Sequence, residues 1–324
     1  MSRCVQTILT GILTRNHSGS LSTTEWRDLI LVARANSLLP RVASILLSDV
    51  ENDFHIPPKA HAHLVASIRH ETLFHNQVIN EVKLVNAKIS KALNNKLIVL
   101  KGAGYVVAGS SAAKGRIFSD IDLLVLKDDI PKVERALHLF GFVSDTDSEY
   151  DQKYYREWAH EIPPLRHFQR GTVLDIHHNI IPVVSGRAPN IEFFFESTVE
   201  TKYGVEVLRP AAMFLHSAIH LFFSEEFTNG FRDLSDLSLL LDEIVSDADE
   251  VNCLFELAQN TGFENELFLA FRYLERVLNN KVPAHITKNF KQPLPKGIRL
   301  ALSDFIFGKV LAANHRLVDV KFRG

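Results

Sequence analysis

Three short apolar runs in the middle of the chain place the tightest limits on its fold. They are Leu97–Leu100, Ile121–Leu126 and Val173–Ile176. Each is too short for a buried helix, and a charged or polar residue follows each one, which is typical of buried strands. Between the second and third runs, Pro131–Phe140 carries apolar residues at helical spacing, and Gly141 is placed to end that helix. Strands that alternate with helices predict a sheet with helices packed on it.

Helical patterns flank this central region on both sides. Before it, Ser22 and Glu25 have the spacing of a capping box, and Pro58–Leu93 repeats apolar residues every three or four positions. After it, Pro210 opens a series of helical segments. The sequence therefore predicts an α+β fold, in which a mixed β-sheet core with its helices lies between two helical regions. We expect an N-terminal helical region at residues 1–95, the core at 96–208 and a C-terminal helical domain at 209–324.

The composition excludes several classes of protein. With 46% hydrophobic residues, 15 Gly and 12 Pro in 324 residues, the chain has enough apolar surface for a core and is not a low-complexity chain. A net charge of −2 disfavours dedicated nucleic-acid binding. The only cysteines, Cys4 and Cys253, cannot form a disulfide framework and fit a reducing compartment. The sequence contains no apolar run long enough for a bilayer and no pattern of a signal peptide, so we expect a cytoplasmic protein without a membrane partner.

Two carboxylates stand at the head of the second strand. Asp120 and Asp122 are two positions apart, so in an extended strand their side chains project from the same face. Like charges held this close are unfavourable, and a hard divalent cation such as Mg²⁺ would relieve the repulsion. A simpler interpretation stays open, in which both carboxylates are solvated at the mouth of the strand.

Three further features point to the same region. Lys101-Gly102 follows the first strand and opens a helix, where backbone N–H groups can meet a phosphate. Arg116 lies shortly before Asp120 and can neutralise a phosphate. Asp175 interrupts the apolar third strand, where a carboxylate without a partner is costly. Each feature also has an ordinary alternative, namely a tight turn, a surface arginine and a hydrogen-bonded structural aspartate.

Together these segments resemble the nucleotidyltransferase (polymerase-β-like) superfamily. They are most similar to a bacterial group known as uncharacterised nucleotidyltransferases, whose pattern is apolar-Lys-Gly, an Arg before Ser-Asp-Ile-Asp-Leu-Leu-Val, and an Asp-x-His strand. In this chain the pattern is Leu100–Gly102, Arg116, Ser119–Val125 and Asp175–His177. The superfamily's Gly-Ser turn is Lys101-Gly102 here, so the ammonium group or backbone amides would replace the serine hydroxyl.

The resemblance implies transfer of an NMP from an NTP, such as ATP, to an acceptor hydroxyl with release of pyrophosphate. It implies two Mg²⁺ ions, replaceable by Mn²⁺, held by Asp120, Asp122 and Asp175, with Asp175 also taking the proton of the acceptor. His177 would contact substrate or support a metal ligand, or be an ordinary buried histidine. The implied nucleotide-binding residues are Lys101, Gly102, Arg116 and Ser119, of which Ser119 has the alternative role of fixing Asp120.

The acceptor and two rival functions stay open at this point. A near-neutral chain disfavours acceptors with a phosphate backbone, so we expect a small molecule or a protein hydroxyl. The rivals are a toxin-like nucleotidyltransferase acting on tRNA or protein, and a non-catalytic nucleotide-binding module. Retention of all three carboxylates favours catalysis. A zinc site at His216 and His220 lacks an indicated third ligand, and the acidic run from Asp145 to Asp151 is most simply a solvated loop.

Overall fold

The secondary structure was assigned in a computed structural model, which describes residues 4–17, 19–48, 55–144, 146, 148–223, 227–291 and 294–313. Asp145 and Asp147 of the acidic run lie outside these ranges. The strands are β1 (Ile98–Val99), β2 (Ile121–Leu124), β3 (Phe142–Ser144), β4 (Leu165–His167), β5 (Val173–His177), β6 (Thr198–Glu200) and β7 (Glu206–Leu208). The helices are α1 (Val5–Leu13), α2 (Thr23–Ala35), α3 (Leu39–Ser48), α4 (Pro58–Ile89), α5 (Lys101–Ala108), α6 (Ile130–Leu139), α7 (Glu149–Glu157), α8 (Glu192–Glu196), α9 (Pro210–Phe223), α10 (Gly230–Ile244), α11 (Ala248–Thr261), α12 (Glu264–Leu278), α13 (Ala284–Thr287) and α14 (Gly297–Val310).

The strands join into one mixed sheet in the order β3-β4-β5-β2-β1-β7-β6. β2 runs parallel to β5 and β1 runs parallel to β7, whereas the other neighbouring pairs are antiparallel. The three strands predicted from the sequence, β1, β2 and β5, are neighbours in this order, and Ile98, Leu123 and Ile176 within them are completely buried. The predicted α+β fold with a mixed sheet core is confirmed.

Four strands that the sequence did not predict form the outer parts of the sheet. β3, β4, β6 and β7 have three residues each, and polar residues such as Arg166 and Glu200 break their apolar patterns. Strands this short are held by their neighbours in the sheet rather than by a local pattern. The alternation of polar and apolar residues is therefore too brief to identify them.

The long helix α4 connects the N-terminal helices to the sheet. Its 32 residues span roughly 48 Å, and it packs against α2 and α3 as well as against α5 and α6. Val78, Val82, Val85 and Ile89 are buried along the predicted stripe. The helix ends at Ile89 and a short 3₁₀ turn follows, so the prediction of a helix to Leu93 was slightly too long.

The ends of several helices form as their sequences predict. At the start of α2, the Ser22 hydroxyl accepts a hydrogen bond from the Glu25 N–H, and the Ser22 N–H donates to Glu25 Oε2 at 2.8 Å. Gly141 follows α6 with φ of 98°, a conformation that favours glycine. Pro210 is the first residue of α9, which packs against α10, α11, α12 and β7. α9 and α10 thereby bring side chains to the centre of the sheet.

The buried apolar residues form one continuous cluster from the N-terminal helices through the sheet to the C-terminal helices. The division into three regions at about residues 95 and 208 stays a prediction. Within the described ranges, none of the helices combines the length and the apolar character that crossing a membrane requires.

Candidate active site

The parallel pairing of β2 and β5 brings two of the predicted carboxylates together. Asp122 lies directly opposite Asp175 in this register, and Leu124 lies opposite His177. Neighbouring strands are about 4.8 Å apart and alternate residues share a face, so Asp122, Asp175 and His177 project from the same side of the sheet. Asp120 immediately precedes β2, two positions before Asp122, and accepts a hydrogen bond from the Ser119 hydroxyl at 3.2 Å.

Asp122 is buried and has two cationic or hydrogen-bonding partners. Lys101 Nζ donates to its Oδ1 at 2.7 Å, and His177 Nε2 donates to the same oxygen at 2.9 Å. Burial by itself would raise the pKa of Asp122, but the charge of Lys101 and the hydrogen bond from His177 hold it well below its usual range. Asp122 is therefore ionised at neutral pH.

Asp175 is in a different electrostatic environment from its neighbour. Burial raises the pKa of Asp175 to about 7, and the adjacent charges of Asp122 and Asp120 raise it further in the same direction. Its Oδ1 atom is buried and has no hydrogen-bond partner among the described residues. The two paired strands thus present one ionised carboxylate beside one that is only partly ionised near pH 7.

The turn between β1 and α5 is strained and closely packed. Lys101 has φ of 46°, which is uncommon for a residue other than glycine. A Cβ atom on Gly102 would lie 2.4 Å from Cδ1 of Phe118, so the aromatic ring leaves room only for glycine. Strained backbone of this kind is frequent at functional sites. Here the residue in this conformation is Lys101, whose ammonium group contacts Asp122.

A cavity of about 490 Å³ opens beside these residues, between α5 and the helices α9 and α10. Three of its lining residues are basic, namely Lys101, Arg116 and Arg232. Four are acidic, namely Asp120, Asp122, Asp233 and Asp236. Gly102 and Ser119 line the same cavity. Six of the eight predicted site residues therefore line this cavity, and the other two, Asp175 and His177, lie on the same sheet face as Asp122.

Arg116 is buried in the cavity wall as part of an ion-pair network. Its Nε is 3.1 Å from Asp236 Oδ2, and its Nη2 is 3.5 Å from Asp233 Oδ1. Each acid has a second arginine: Arg41 pairs with Asp236 at 2.7 Å and Arg232 pairs with Asp233 at 2.8 Å. Burial would lower the pKa of Arg116, but the charges of Asp236 and Asp233 raise it. Arg116 therefore stays charged.

The structure adds cavity residues that the sequence analysis did not select. They are uncharged polar groups suited to hydrogen bonding with a ligand, namely Ser37, Tyr105, Ser217 and Asn229. His220, which the sequence analysis considered as a zinc ligand, lines the cavity with them. The Tyr105 hydroxyl is hydrogen-bonded to Ser217 on α9. The positive charge of Lys101, together with burial, lowers the pKa of His220 to about 3, so its imidazole is neutral at pH 7. No local pattern marked Ser37 or Ser217, because both reach the cavity only through packing between distant helices.

His216 and His220 are one helical turn apart on the same face of α9. Within the part of the chain that the structure describes, neither belongs to a group of three metal-ligating side chains. Burial holds the pKa of His216 well below its usual range, and nearby Lys101 acts in the same direction. His216 is accordingly a neutral, buried histidine beneath the cavity.

A second groove of about 560 Å³ meets the first cavity at Phe118, Ser119 and Asp120. It lies between α4 and the starts of β2 and β5. One basic side chain is among the residues that line it, Arg170, whose guanidinium is paired with Glu81 at 2.8 Å. The other lining residues are mostly apolar or uncharged, and they include Phe74, Gln77, Asn80, Leu84 and Thr172.

Comparisons with known proteins identify the family of the chain. No curated protein matches the chain. A crystal structure of an antigenic nucleotidyltransferase-like protein from Paracoccidioides brasiliensis is weakly similar over 67% of this chain and 98% of that chain, at 13% identity and a TM-score of 0.38. The family model described as uncharacterised nucleotidyltransferase matches residues 22–279, well over half of the chain. The protein, with its paired aspartates on β2 and β5, therefore belongs to the uncharacterised nucleotidyltransferase family.

Proposed function

We propose that this protein is a Mg²⁺-dependent nucleotidyltransferase that moves an NMP from an NTP to a hydroxyl group of a small molecule or a protein and releases pyrophosphate. The observation that carries the proposal is the register of β2 and β5, which sets Asp122 beside Asp175. Asp122 also lines the cavity of about 490 Å³, whose wall has both basic and acidic side chains. The preceding Asp120 adds a third carboxylate next to this pair.

The residues present fit a divalent cation. Asp175 Oδ1 is a buried oxygen without a partner among the described residues, and burial together with repulsion from the neighbouring carboxylates raises the pKa of Asp175. The cavity wall also carries more acidic than basic side chains, so a triphosphate alone would be repelled from it. Asp120, Asp122 and Asp175 would hold Mg²⁺ or Mn²⁺, which prefer such oxygen ligands. When bound, the ions would stabilise negative charge on the attacking and leaving oxygens of an in-line displacement.

The basic residues of the cavity would bind the triphosphate. An ammonium group has three donors, so Lys101 can donate to Asp122 and to a phosphate oxygen together. Arg116 can turn toward a phosphate without leaving a carboxylate unpaired, because Arg41 and Arg232 remain on Asp236 and Asp233. The neutral polar residues Tyr105, Ser217 and Asn229 line the same cavity and would contact the ribose or the base.

The groove beside α4 is suited to the acceptor. It shares Asp120 with the nucleotide cavity, so a hydroxyl bound in the groove would lie next to the carboxylates while the triphosphate occupies the cavity. Asp175 would then take the proton of this hydroxyl as it attacks. The guanidinium of Arg170 is already paired with Glu81, so the groove offers little to a phosphate backbone. This supports a small, largely uncharged acceptor.

The test is to incubate the purified protein with each α-labelled NTP, Mg²⁺ and an extract of its host, and to follow the label. Transfer to a metabolite or a protein that is lost in Asp122→Asn supports the proposal. The matched control is Asp128→Asn, because Asp128 is an exposed aspartate just beyond β2. Label on tRNA would favour the toxin-like alternative. NTP binding without any release of pyrophosphate would favour the non-catalytic module.

A further inference from the structure

A second cluster of metal-ligating side chains adjoins the candidate active site. His160, Glu161 and His177 each offer a ligand atom, and these atoms lie within 4.8 Å of one another. Nδ1 of His177 is 3.3 Å from Oε2 of Glu161, and Nε2 of His160 is 3.9 Å from the same oxygen. In a tetrahedral zinc site, with bonds near 2.0–2.1 Å, neighbouring ligand atoms are about 3.4 Å apart. The cluster therefore has nearly the dimensions of such a site.

The backbone holds the cluster in place. Glu161 forms an isolated antiparallel bridge with His177 at the end of β5. The Ile162 N–H donates to the Ile176 carbonyl at 3.0 Å, and the His178 N–H donates to the His160 carbonyl at 2.8 Å. Residues 160–162 are thus fixed beside residues 176–178, although no tight turn joins the two segments. Ligands on backbone held this way are preorganised for a metal ion.

The ring of His177 lies between two carboxylates. Its Nε2 atom is hydrogen-bonded to the ionised Asp122, so Nδ1 is the ring nitrogen that remains to bind a metal ion. Nδ1 lies 3.3 Å from Oε2 of Glu161, close enough for both atoms to bind one ion. The side chain of His177 is almost completely buried, so its ring is held in this position by the surrounding protein.

We propose that His160, Glu161 and His177 bind a divalent transition-metal ion, Zn²⁺ by their donor set, at a site separate from the Mg²⁺ ligands of the proposed function. Two imidazole nitrogens and one carboxylate are a known three-ligand set for zinc, whereas Mg²⁺ prefers oxygen ligands. A metal-bound histidine commonly donates its other N–H to a carboxylate, which is the contact that His177 makes with Asp122. The ion would therefore fix the tautomer of His177 that orients Asp122.

The test uses the full chain after treatment with a chelator and needs no nucleotide. Zn²⁺ is titrated against a chromophoric chelator in the presence of millimolar Mg²⁺, and Co²⁺ is titrated while its visible absorption is recorded. We expect one equivalent of Zn²⁺ that Mg²⁺ does not displace, and intense Co²⁺ bands of a four-coordinate site with nitrogen ligands. His160→Asn and Glu161→Gln should each weaken Zn²⁺ binding by at least about tenfold, whereas His138→Asn, on the exposed surface of α6, should not.

Three results would overturn the proposal. These are displacement of Zn²⁺ by Mg²⁺, a weak Co²⁺ spectrum of a six-coordinate oxygen site, or Zn²⁺ affinities of His160→Asn and Glu161→Gln equal to that of His138→Asn. Circular dichroism checks that each variant is folded, and the wild-type Co²⁺ spectrum decides the question if a variant is not. Because the titrations contain no NTP, they succeed or fail independently of nucleotidyl transfer.

Discussion

Asp122 and Asp175 face each other across the parallel strands β2 and β5, yet their carboxyl groups have opposite electrostatic environments. Lys101 and His177 keep Asp122 ionised, whereas Asp175 has buried surroundings and two nearby negative charges that raise its pKa to about 7. Pairs of acids whose pKa values are driven apart are a common basis for dividing roles in an active site. In this protein the ionised partner is suited to binding cations and the other to accepting a proton.

Replacing Asp175 by Asn is expected to stabilise the metal-free protein in alkaline solution. Folding raises the pKa of Asp175 from 3.8 to about 7, so the folded state favours the protonated form. The contribution of this protonated form to the free energy of unfolding is fully present below the ordinary pKa of 3.8 and is lost as the pH rises through about 7. We expect Asp175→Asn to raise the free energy of unfolding by about 1–2 kcal/mol near pH 8, after allowance for solvent screening, and by less near pH 5. Urea unfolding with a chelator present measures both values.

The same variant should lose the stabilising effect of Mg²⁺. Wild type should unfold at higher urea concentration when Mg²⁺ is added, because an ion bound only to the folded state stabilises it. If Asp175→Asn is less stable than wild type at both pH values, the electrostatic argument for this pair is wrong.

Replacing Asp122 by Asn is expected to destabilise the fold as well as abolish transfer. The variant leaves the ammonium group of Lys101, whose side chain is only 22% exposed, without its carboxylate. Loss of one partner from a largely buried pair costs about 2–4 kcal/mol after discounting for this exposure. Lys101→Met with Asp122→Asn should recover part of the lost stability but none of the transfer activity. Thermal unfolding and the labelled-NTP assay separate the two effects, and a double variant no more stable than Asp122→Asn would contradict the pairing.

Replacing Gly102 by Ala tests why glycine follows Lys101. The new methyl group would collide with Phe118, whose Cδ1 would lie 2.4 Å away. We expect a loss of about 1–3 kcal/mol, typical of overpacking, and a recovery of stability when Phe118→Leu is added. NTP affinity of the double variant, measured by calorimetry, then shows whether glycine is also needed for the approach of phosphate. Failure of Phe118→Leu to restore stability would mean that the ring is not the obstacle.

Replacing Arg116 by Met should weaken NTP binding with little effect on folding. Asp236 retains Arg41 and Asp233 retains Arg232, so neither carboxylate is left unpaired. We expect an increase of about tenfold or more in the Kd for NTP, which corresponds to the loss of at least one charge-assisted contact. Calorimetric titration gives the Kd, and Arg27→Met at an exposed site on α2 serves as the control. Equal NTP affinity in both variants would remove Arg116 from the binding site.

Filling the groove beside α4 should affect the acceptor rather than the nucleotide. Leu84 lines the groove, whereas Leu73 is an exposed residue of the same helix that lines neither cavity. Leu84→Trp is expected to raise the KM for the acceptor several-fold because the larger side chain occupies its space, and to leave NTP affinity unchanged. Leu73→Trp should leave both unchanged. A Leu84→Trp variant that loses NTP binding instead would place the nucleotide, not the acceptor, in this groove.

Local sequence patterns predicted the central part of the fold well. Features that depend on residues near one another in the chain formed as expected. They are the strands β1, β2 and β5, the capping box at Ser22 and the buried stripe of α4. The outer strands were missed because three residues are too few for a period to be recognised. The membership in the nucleotidyltransferase family was likewise predictable, since its motif occupies contiguous segments.

What the amino-acid sequence alone determined was the set of acidic and basic residues available for phosphate chemistry and the strands that carry them. Only the tertiary structure decided which of these residues contact one another. Lys101 is hydrogen-bonded to Asp122, and Glu161 lies beside His177. Arg41 and Arg116 both form ion pairs with Asp236. These partners are brought together by the register of strands and the packing of helices that are distant in sequence. Local periodicity carries no information about such contacts, because they form only when several segments distant in sequence pack together.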